Sequence, residues 1–268
     1  MINFEIMSDF LATDFLNFSN AIQLVLILFG IVFLRYILFS SACHYLLKSI
    51  FRDRLLHEQD ISTQQLRKEI RFSAITSLIF AISGWLMVLL WQLGYVKIYV
   101  DLVDFPIWYI PLSVVGYLLL HETYYYWVHR WMHRPGIYRL VHKVHHDSLH
   151  TTAMTSFSFH PIESILQAAI IPVLTLVVPI HLYGLFFLLL IMTISGTINH
   201  LGFEVFPSWW YNHRITKWLI GATHHDLHHK KFTFNYGLYF TFWDRWMQTE
   251  HEPKDSTSSS AGRNRSKL

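Results

Sequence analysis

Long apolar runs alternate with short polar blocks along this chain, and the runs have the length of membrane spans. Residues 21–40, AIQLVLILFGIVFLRYILFS, contain one charge, Arg35, and at about 1.5 Å per residue they reach across a hydrocarbon layer of about 30 Å. An arginine at that depth snorkels or pairs inside a bundle. A second run covers about 72–93, and a third extends from Ile107 toward Trp127; the turn GYVKIYVDLVDFP makes the two a hairpin. Runs at 161–180 and 182–198, separated by Pro179, Ile180 and His181, form a second hairpin whose arms are short enough to be spans or re-entrant segments. The pattern predicts an all-α, multi-pass membrane fold: an N-terminal span followed by two hairpins.

The polar blocks orient it. Lys48, Arg52, Arg54, Arg67, Lys68 and Arg71 crowd the first loop with few acids, which puts residues 46–71 in the cytoplasm as a basic linker and the N-terminus outside. The leader MINFEIMSDFLATDF lacks the basic start and small-residue cleavage site of a secretory signal, so residues 1–45 read as an extracytoplasmic segment plus a retained anchor. The third run ends in Tyr124, Tyr125, Tyr126 and Trp127, rings suited to the headgroup level, so His129 falls just outside the hydrocarbon. An even number of crossings between His146 and His200 then puts 128–160 and 199–268 on one face, as a cytosolic helical cap. From Lys254 the chain, KDSTSSSAGRNRSKL, is Ser-rich and aperiodic and reads as disordered; its final Ser-Lys-Leu matches a peroxisomal address, a three-residue match that carries no weight on a multispan chain.

Composition agrees. The 268 residues are 53% hydrophobic and only 15% charged, against roughly 25% charged in soluble domains. The formal charge of +3 is mild and explained by membrane orientation, so no nucleic-acid partner is implied. The one cysteine, Cys43, excludes an internal disulfide, an iron–sulfur cluster or a thiolate zinc site. Any metal must be held by nitrogen and oxygen.

Histidine supplies the nitrogen. Of 18 histidines, 15 lie between His121 and His229. HRWMH places His129 and His133 at i and i+4; HKVHH places His142, His145 and His146, and HDLHH places His225, His228 and His229, at i, i+3 and i+4. A single such pair is usually a solvated face. Three on one side of a membrane predict metal, and eight or more imidazoles exceed one zinc site and fit two ions. Imidazole suits iron, copper, nickel and zinc, and two irons beside a bilayer would have the redox chemistry to activate O2. The Glu-x-x-His motif of soluble di-iron bundles is absent. His160 and His200, isolated in sequence but on the same face, are further candidates; His121 and His224 are weaker, and His44, His57, His150, His181, His213 and His251 read as structural or solvated. Carboxylates should orient the rings and offset the metal charge. Of Glu122, Asp147, Glu163, Glu204, Asp226 and Asp244, the three favoured are Glu122, Asp147 and Asp226.

Together HRWMH, HKVHH, SFHPIE, NHLGFE, HHDLHH and NYGLYFTFWDRW resemble the fatty acid hydroxylase and sterol desaturase superfamily of membrane di-iron enzymes. The hairpin from RKEIRFSAITS to QLGYVKIY resembles its sterol C5-desaturase (lathosterol oxidase) branch. The resemblance implies a catalytic domain over 72–253 and two irons on His129, His133, His142, His145, His146, His225, His228 and His229, with His160 and His200 at positions where relatives also carry histidine. It implies O2-dependent desaturation of a sterol, or hydroxylation of a sterol or acyl chain, at an endoplasmic reticulum or bacterial inner membrane. The lipid would enter from the bilayer with its polar end near Trp209, Trp210, Lys230 and Lys231. In one departure, the family's Gly-containing turn after WDR reads Trp246-Met247-Gln248. With no nucleotide motif and no fused haem domain, electrons must come from a separate carrier, cytochrome b5 or a ferredoxin with its reductase. A zinc protease is excluded because His121-Glu122 lacks a second histidine, the needed position being Tyr125. A metal transporter, the remote alternative, would carry polar or acidic ligands deep in its spans, and these spans offer mainly aliphatic residues.

Overall fold

The structure, a computed structural model, describes residues 10, 12–57 and 61–251. The tail from Lys254, with its Ser-Lys-Leu end, lies outside the described residues. In chain order the helices are α1 (Phe18–Ala42), α2 (Thr63–Gln92), α3 (Tyr109–Met132), α4 (Ile137–Val141), α5 (Lys143–His146), α6 (Pro161–Val177), α7 (Leu182–Asn199), α8 (Ala222–Lys231) and α9 (Phe242–Trp246). Side chains start the long ones. Asn17 accepts the Ser19 amide ahead of α1 and Ser62 the Gln65 amide ahead of α2. His160 and His181 do the same for α6 and α7, accepting from Ile162 and Tyr183.

Among the described residues three helices are long and apolar enough to cross a membrane: α1 with its extension to Ile50, α2 and α7. The sequence predicts five spans. Of the other two, α6 is apolar but has 17 residues, about 26 Å; α3 has 24 residues but buries His121, Glu122 and several tyrosines along one face. Each hairpin therefore pairs one apolar helix, α2 or α7, with one that is shorter or more polar, α3 or α6. The outward faces suit lipid: Leu26, Ile31, Leu34 and Leu38 of α1 are all exposed.

Packing follows from spacing. Helix α2 lies against α1 and α6, and α3 against α6 and α7. Between them Tyr117, Ile170, Ile180, Leu185 and Leu188 form a sealed core. Pro172 interrupts α6 and leaves the Ala168 carbonyl without its usual amide; the Ser83 hydroxyl of α2 donates to it at 3.1 Å. One feature departs from an all-helical reading. Ile98–Tyr99 and Ile180–His181 pair as a two-residue parallel ladder, Ile98 opposite Ile180, which supplies backbone partners to the two hairpin turns.

The basic linker does not hang free. Residues 54–57 lie along the cap: Leu55 bridges Phe203, the Leu56 amide donates to Gly202 O at 2.9 Å, and the Glu204 amide to Arg54 O at 2.9 Å. Gly202 is required there, because at φ +76° a Cβ would stand 2.5 Å from Thr151 O.

Candidate metal centre

The buried face of α3 carries Tyr117, His121, Tyr125 and His129 at four-residue spacing. The stripe ends at His133, where Arg134, Pro135 and Gly136 turn the chain into α4 and α5. Helix α8 returns opposite α5. Its N-terminus is held by Glu204, which accepts from the Thr223 amide at 2.8 Å, the Thr223 hydroxyl at 2.6 Å and the Tyr211 hydroxyl at 2.5 Å, a carboxylate at the positive end of the helix dipole.

These elements gather nine of the ten histidines singled out by sequence. His129, His133, His142, His146 and His228 form one group and His145, His200, His225 and His229 a second, with one ring nitrogen from each member of a group within 4.8 Å of the others. Each i, i+3, i+4 motif is divided. The i, i+4 pairs His142/His146 and His225/His229 go to different groups, and the residue between them crosses over: His145 joins the second group, His228 the first. A step from i+4 to i+3 rotates a side chain by about 100°, so one helix serves two sites. The groups touch, with the His146 and His229 rings 4.5 Å apart.

The contacts within the groups run through Nε2. His129 and His142 approach to 3.0 Å, His133 and His228 to 3.2 Å, His146 and His228 to 3.1 Å, His145 and His200 to 3.2 Å, and His200 and His225 to 3.0 Å. In four of the nine rings the other nitrogen is committed to a backbone carbonyl, while Nδ1 of His146 and His225 has no hydrogen-bond partner among the described residues. Nδ1 lies 2.7 Å from Tyr236 O in His129, 2.7 Å from Phe234 O in His228, 2.7 Å from Gly196 O in His200 and 3.4 Å from Ser158 O in His145. In His142 it lies 2.9 Å from Glu163 Oε1. A neutral ring whose proton sits on Nδ1 presents a bare lone pair at Nε2. His129 faces His142, and His145 faces His200, lone pair to lone pair, an arrangement that repels unless a cation lies between. Two nitrogens each about 2.1 Å from one ion and roughly 90–100° apart would be separated by about 3.0–3.2 Å. The donor set fits a metal.

Burial keeps the rings neutral. His133 is pushed down to about 2 and His200 to about 4, chiefly by loss of solvation, and the same cause holds His142, His145, His146, His225, His228 and His229 well below the ordinary imidazole value. Repulsion from neighbouring rings adds to it in all of these but His200.

His160 stays apart. Its Nδ1 accepts the Ile162 amide at 3.3 Å as the cap of α6, a job its place before Pro161 foreshadows. The three favoured acids also have other partners. Asp147 is exposed and bound by Lys68 and Lys143 at 2.5 and 2.6 Å. Asp226 is bound by Lys230 at 2.7 Å and lies 2.7 Å from His57 Nε2. Glu122 accepts the amides of Leu238 and Tyr239 at 3.1 and 2.7 Å. No hydrogen bond or ion pair joins any of the three to a ring of either group; the carboxylate that reaches one is Glu163, fixed by the first turn of α6 inside SFHPIE.

What sequence reasoning missed is the collar at 234–239. Phe234 and Tyr236 offer carbonyls to His228 and His129, while Asp244 takes the Tyr236 and Gly237 amides at 2.9 and 2.8 Å and Glu122 the next two. Gly237 has no room for a side chain, because a Cβ would stand 2.5 Å from Phe240 O and 2.9 Å from Glu122 Oε1. Asn235, at φ +59°, closes the loop by donating to His224 O and His251 O and accepting the His251 amide. Past α9, Gln248 holds φ +56°, so the chain makes a left-handed turn there without glycine.

Residues 114–249 match the fatty acid hydroxylase family. The chain is 30% identical over 233 residues to lathosterol oxidase of Homo sapiens, covering 85% of this chain and 74% of that protein. It is 28% identical over 229 residues to a Delta(7)-sterol 5(6)-desaturase of Gibberella zeae, covering 84% and 67%. To a methylsterol monooxygenase of Aspergillus fumigatus it is 32% identical over 158 residues, covering 57% and 52%. No solved structure matches. With the domain match extending over half its length and enclosing both histidine groups, the chain belongs to the fatty acid hydroxylase family.

Proposed function

We propose that this protein is a membrane-bound, O2-dependent oxidase that introduces a double bond into a sterol, with one iron held by each histidine group. The observation that carries the reading is the set of ring Nε2 atoms facing one another across 3.0–3.2 Å, with Nδ1 of His129, His145 and His200 at backbone carbonyls and that of His142 beside Glu163. When bound, two irons supply the oxidation of an unactivated C–H bond by O2. The chain's own residues position and enclose. Neutral donors leave the metal charge uncompensated, and Glu163 offsets part of it from behind His142.

The sterol class rests on the relatives, whose names are those of sterol desaturases and a methylsterol monooxygenase. The last of these supports a second reading, hydroxylation of a sterol or other lipid at the same centre. The basic stretch from Lys48 to Arg71 supports a cytosolic cap, and hence a cytosolic electron donor. The deciding experiment expresses the chain in a host lacking sterol C5-desaturase and reads its lipids by mass spectrometry. A new ring double bond is expected, a new hydroxyl would select the second reading, and unchanged lipids from a metal-loaded protein would overturn both.

A further inference from the structure

A chain of oxidisable rings runs from the group of five to the surface. Tyr236 packs on His129, His133 and His228 with ring centres 5.6, 5.3 and 5.6 Å apart. Tyr126 of α3 follows at 6.0 Å, and Trp243 of α9 lies against Tyr126 at 5.8 Å with the two planes 20° apart. From Trp243 the chain forks to Trp246 at 5.4 Å and Trp127 at 5.6 Å, and both of these indoles are exposed. Tyr125 and Tyr138 also touch the group, but their other ring contacts are with histidines and Phe232. The group of four has no such exit: among the described residues its ring contacts are with histidines and Phe159. Tyr126 is also placed to lose a proton. Thr249 Oγ1 donates to Asp244 Oδ1 at 2.8 Å, which leaves its oxygen to accept from the Tyr126 hydroxyl at 2.9 Å.

We propose that these rings are a relay that carries surplus oxidising equivalents from the metal centre to solvent, sparing the ligand histidines. The proposal rests on the oxidase reading, in which O2 and reductant can react at the centre while no sterol is in place. Indole and phenol rings yield electrons far more readily than they accept them, so the chain conducts holes outward and cannot bring reducing electrons in. In the first step Tyr126 gives one electron to the centre across Tyr236; its phenol proton passes to Thr249 Oγ1 as the Thr249 proton passes to Asp244. Trp243 then gives an electron to Tyr126, both protons return, and the hole moves on to Trp246 or Trp127. There the exposed indole takes one electron from a dissolved thiol. The sum is one electron from thiol to centre, with the S–H proton released to water and pairs of thiyl radicals closing as a disulfide.

The test uses the full, iron-loaded chain in phosphatidylcholine nanodiscs, reduced by dithionite and then exposed to O2 in repeated cycles with no sterol present. Peptide mass spectrometry maps the residues that gain oxygen. Oxidation is expected on Trp246 and Trp127. In Trp243→Phe it should be lost from those two and appear on Tyr236 and on His129, His133 or His228. Trp243→Tyr, which keeps an oxidisable ring, should restore the original map, and Tyr138→Phe should leave it unaltered. An unchanged map in Trp243→Phe overturns the relay; so does Trp243→Tyr behaving like Trp243→Phe, the mark of a packing defect. The metal-free protein separates the relay from the oxidase reading. Oxidised from its surface by a flash-quenched ruthenium complex, it should show a tyrosyl radical by electron paramagnetic resonance that weakens in Tyr126→Phe; equal signals overturn the relay whatever the irons do. Iron-loaded protein that gains no oxygen anywhere, while the metal-free radical forms as expected, sinks the oxidase reading instead.

Discussion

In the group of five, His129 and His228 give their protons to the 234–236 carbonyls, His142 faces Glu163, and His133 meets solvent; in the group of four every ring is buried, and Gly196 and Ser158 carbonyls take the Nδ1 protons of His200 and His145. The first is built on a loop and a carboxylate, and it is open. The second is built on helix ends, and it is closed. With the same donor in both, protein surroundings alone decide which site exchanges with the outside and which side chains can tune it.

Removing a donor from each group separates them most sharply. His228→Ala and His225→Ala should each lower bound iron from about two ions per chain to about one and abolish product formation, as read by elemental analysis and sterol profiling; full retention of both ions by either variant breaks the assignment. Acid acts on both groups together. Burial depresses the folded-state values, so the unfolded chain takes up more protons below its ordinary value of 6.5; the metal-free protein should keep its stability above that and lose it as pH falls toward the value of about 4 held by His200. A melting temperature of the metal-free protein that is flat between about pH 7 and about pH 5 would contradict the neutral, buried rings.

Gly237→Ala strikes the loop that serves only the group of five. A clash with Phe240 O and Glu122 should cost about 1–3 kcal/mol and displace the Tyr236 carbonyl, so the first ion is lost before the second, measurable by unfolding and metal stoichiometry. Glu163→Gln should weaken the first site about 10–100-fold in a chelator competition and leave the second unchanged. The smallest effect is expected from Glu204→Gln, which loosens the start of α8 by about 1 kcal/mol and touches both groups equally, because that helix feeds both.

The long elements were legible because periodicity and length are local properties. The run at 21–40 lies within α1 and the one at 72–93 mostly within α2, and HRWMH, HKVHH and HDLHH meet as their spacing predicts. Sequence did not reveal that each triad is split, since i+3 and i+4 look equivalent until the partner helices are in place. Nor did it identify partners made by backbone. The carbonyls of Tyr236 and Phe234 have no side-chain signature, and Glu122 and Asp244 act on the rings at one remove, through the amides they hold. His160 shows the converse: sequence favours it as a ligand, but it stands outside both groups, with its Nδ1 capping α6 ahead of Pro161.

The crossing of His145 and His228 has a consequence for assembly. Because α5 and α8 each give nitrogens to both clusters, inserting a single residue in either helix would swing donors of both out of place at once. The two groups share a wall: a change at one donor strikes one of them, whereas a change of helix register strikes both.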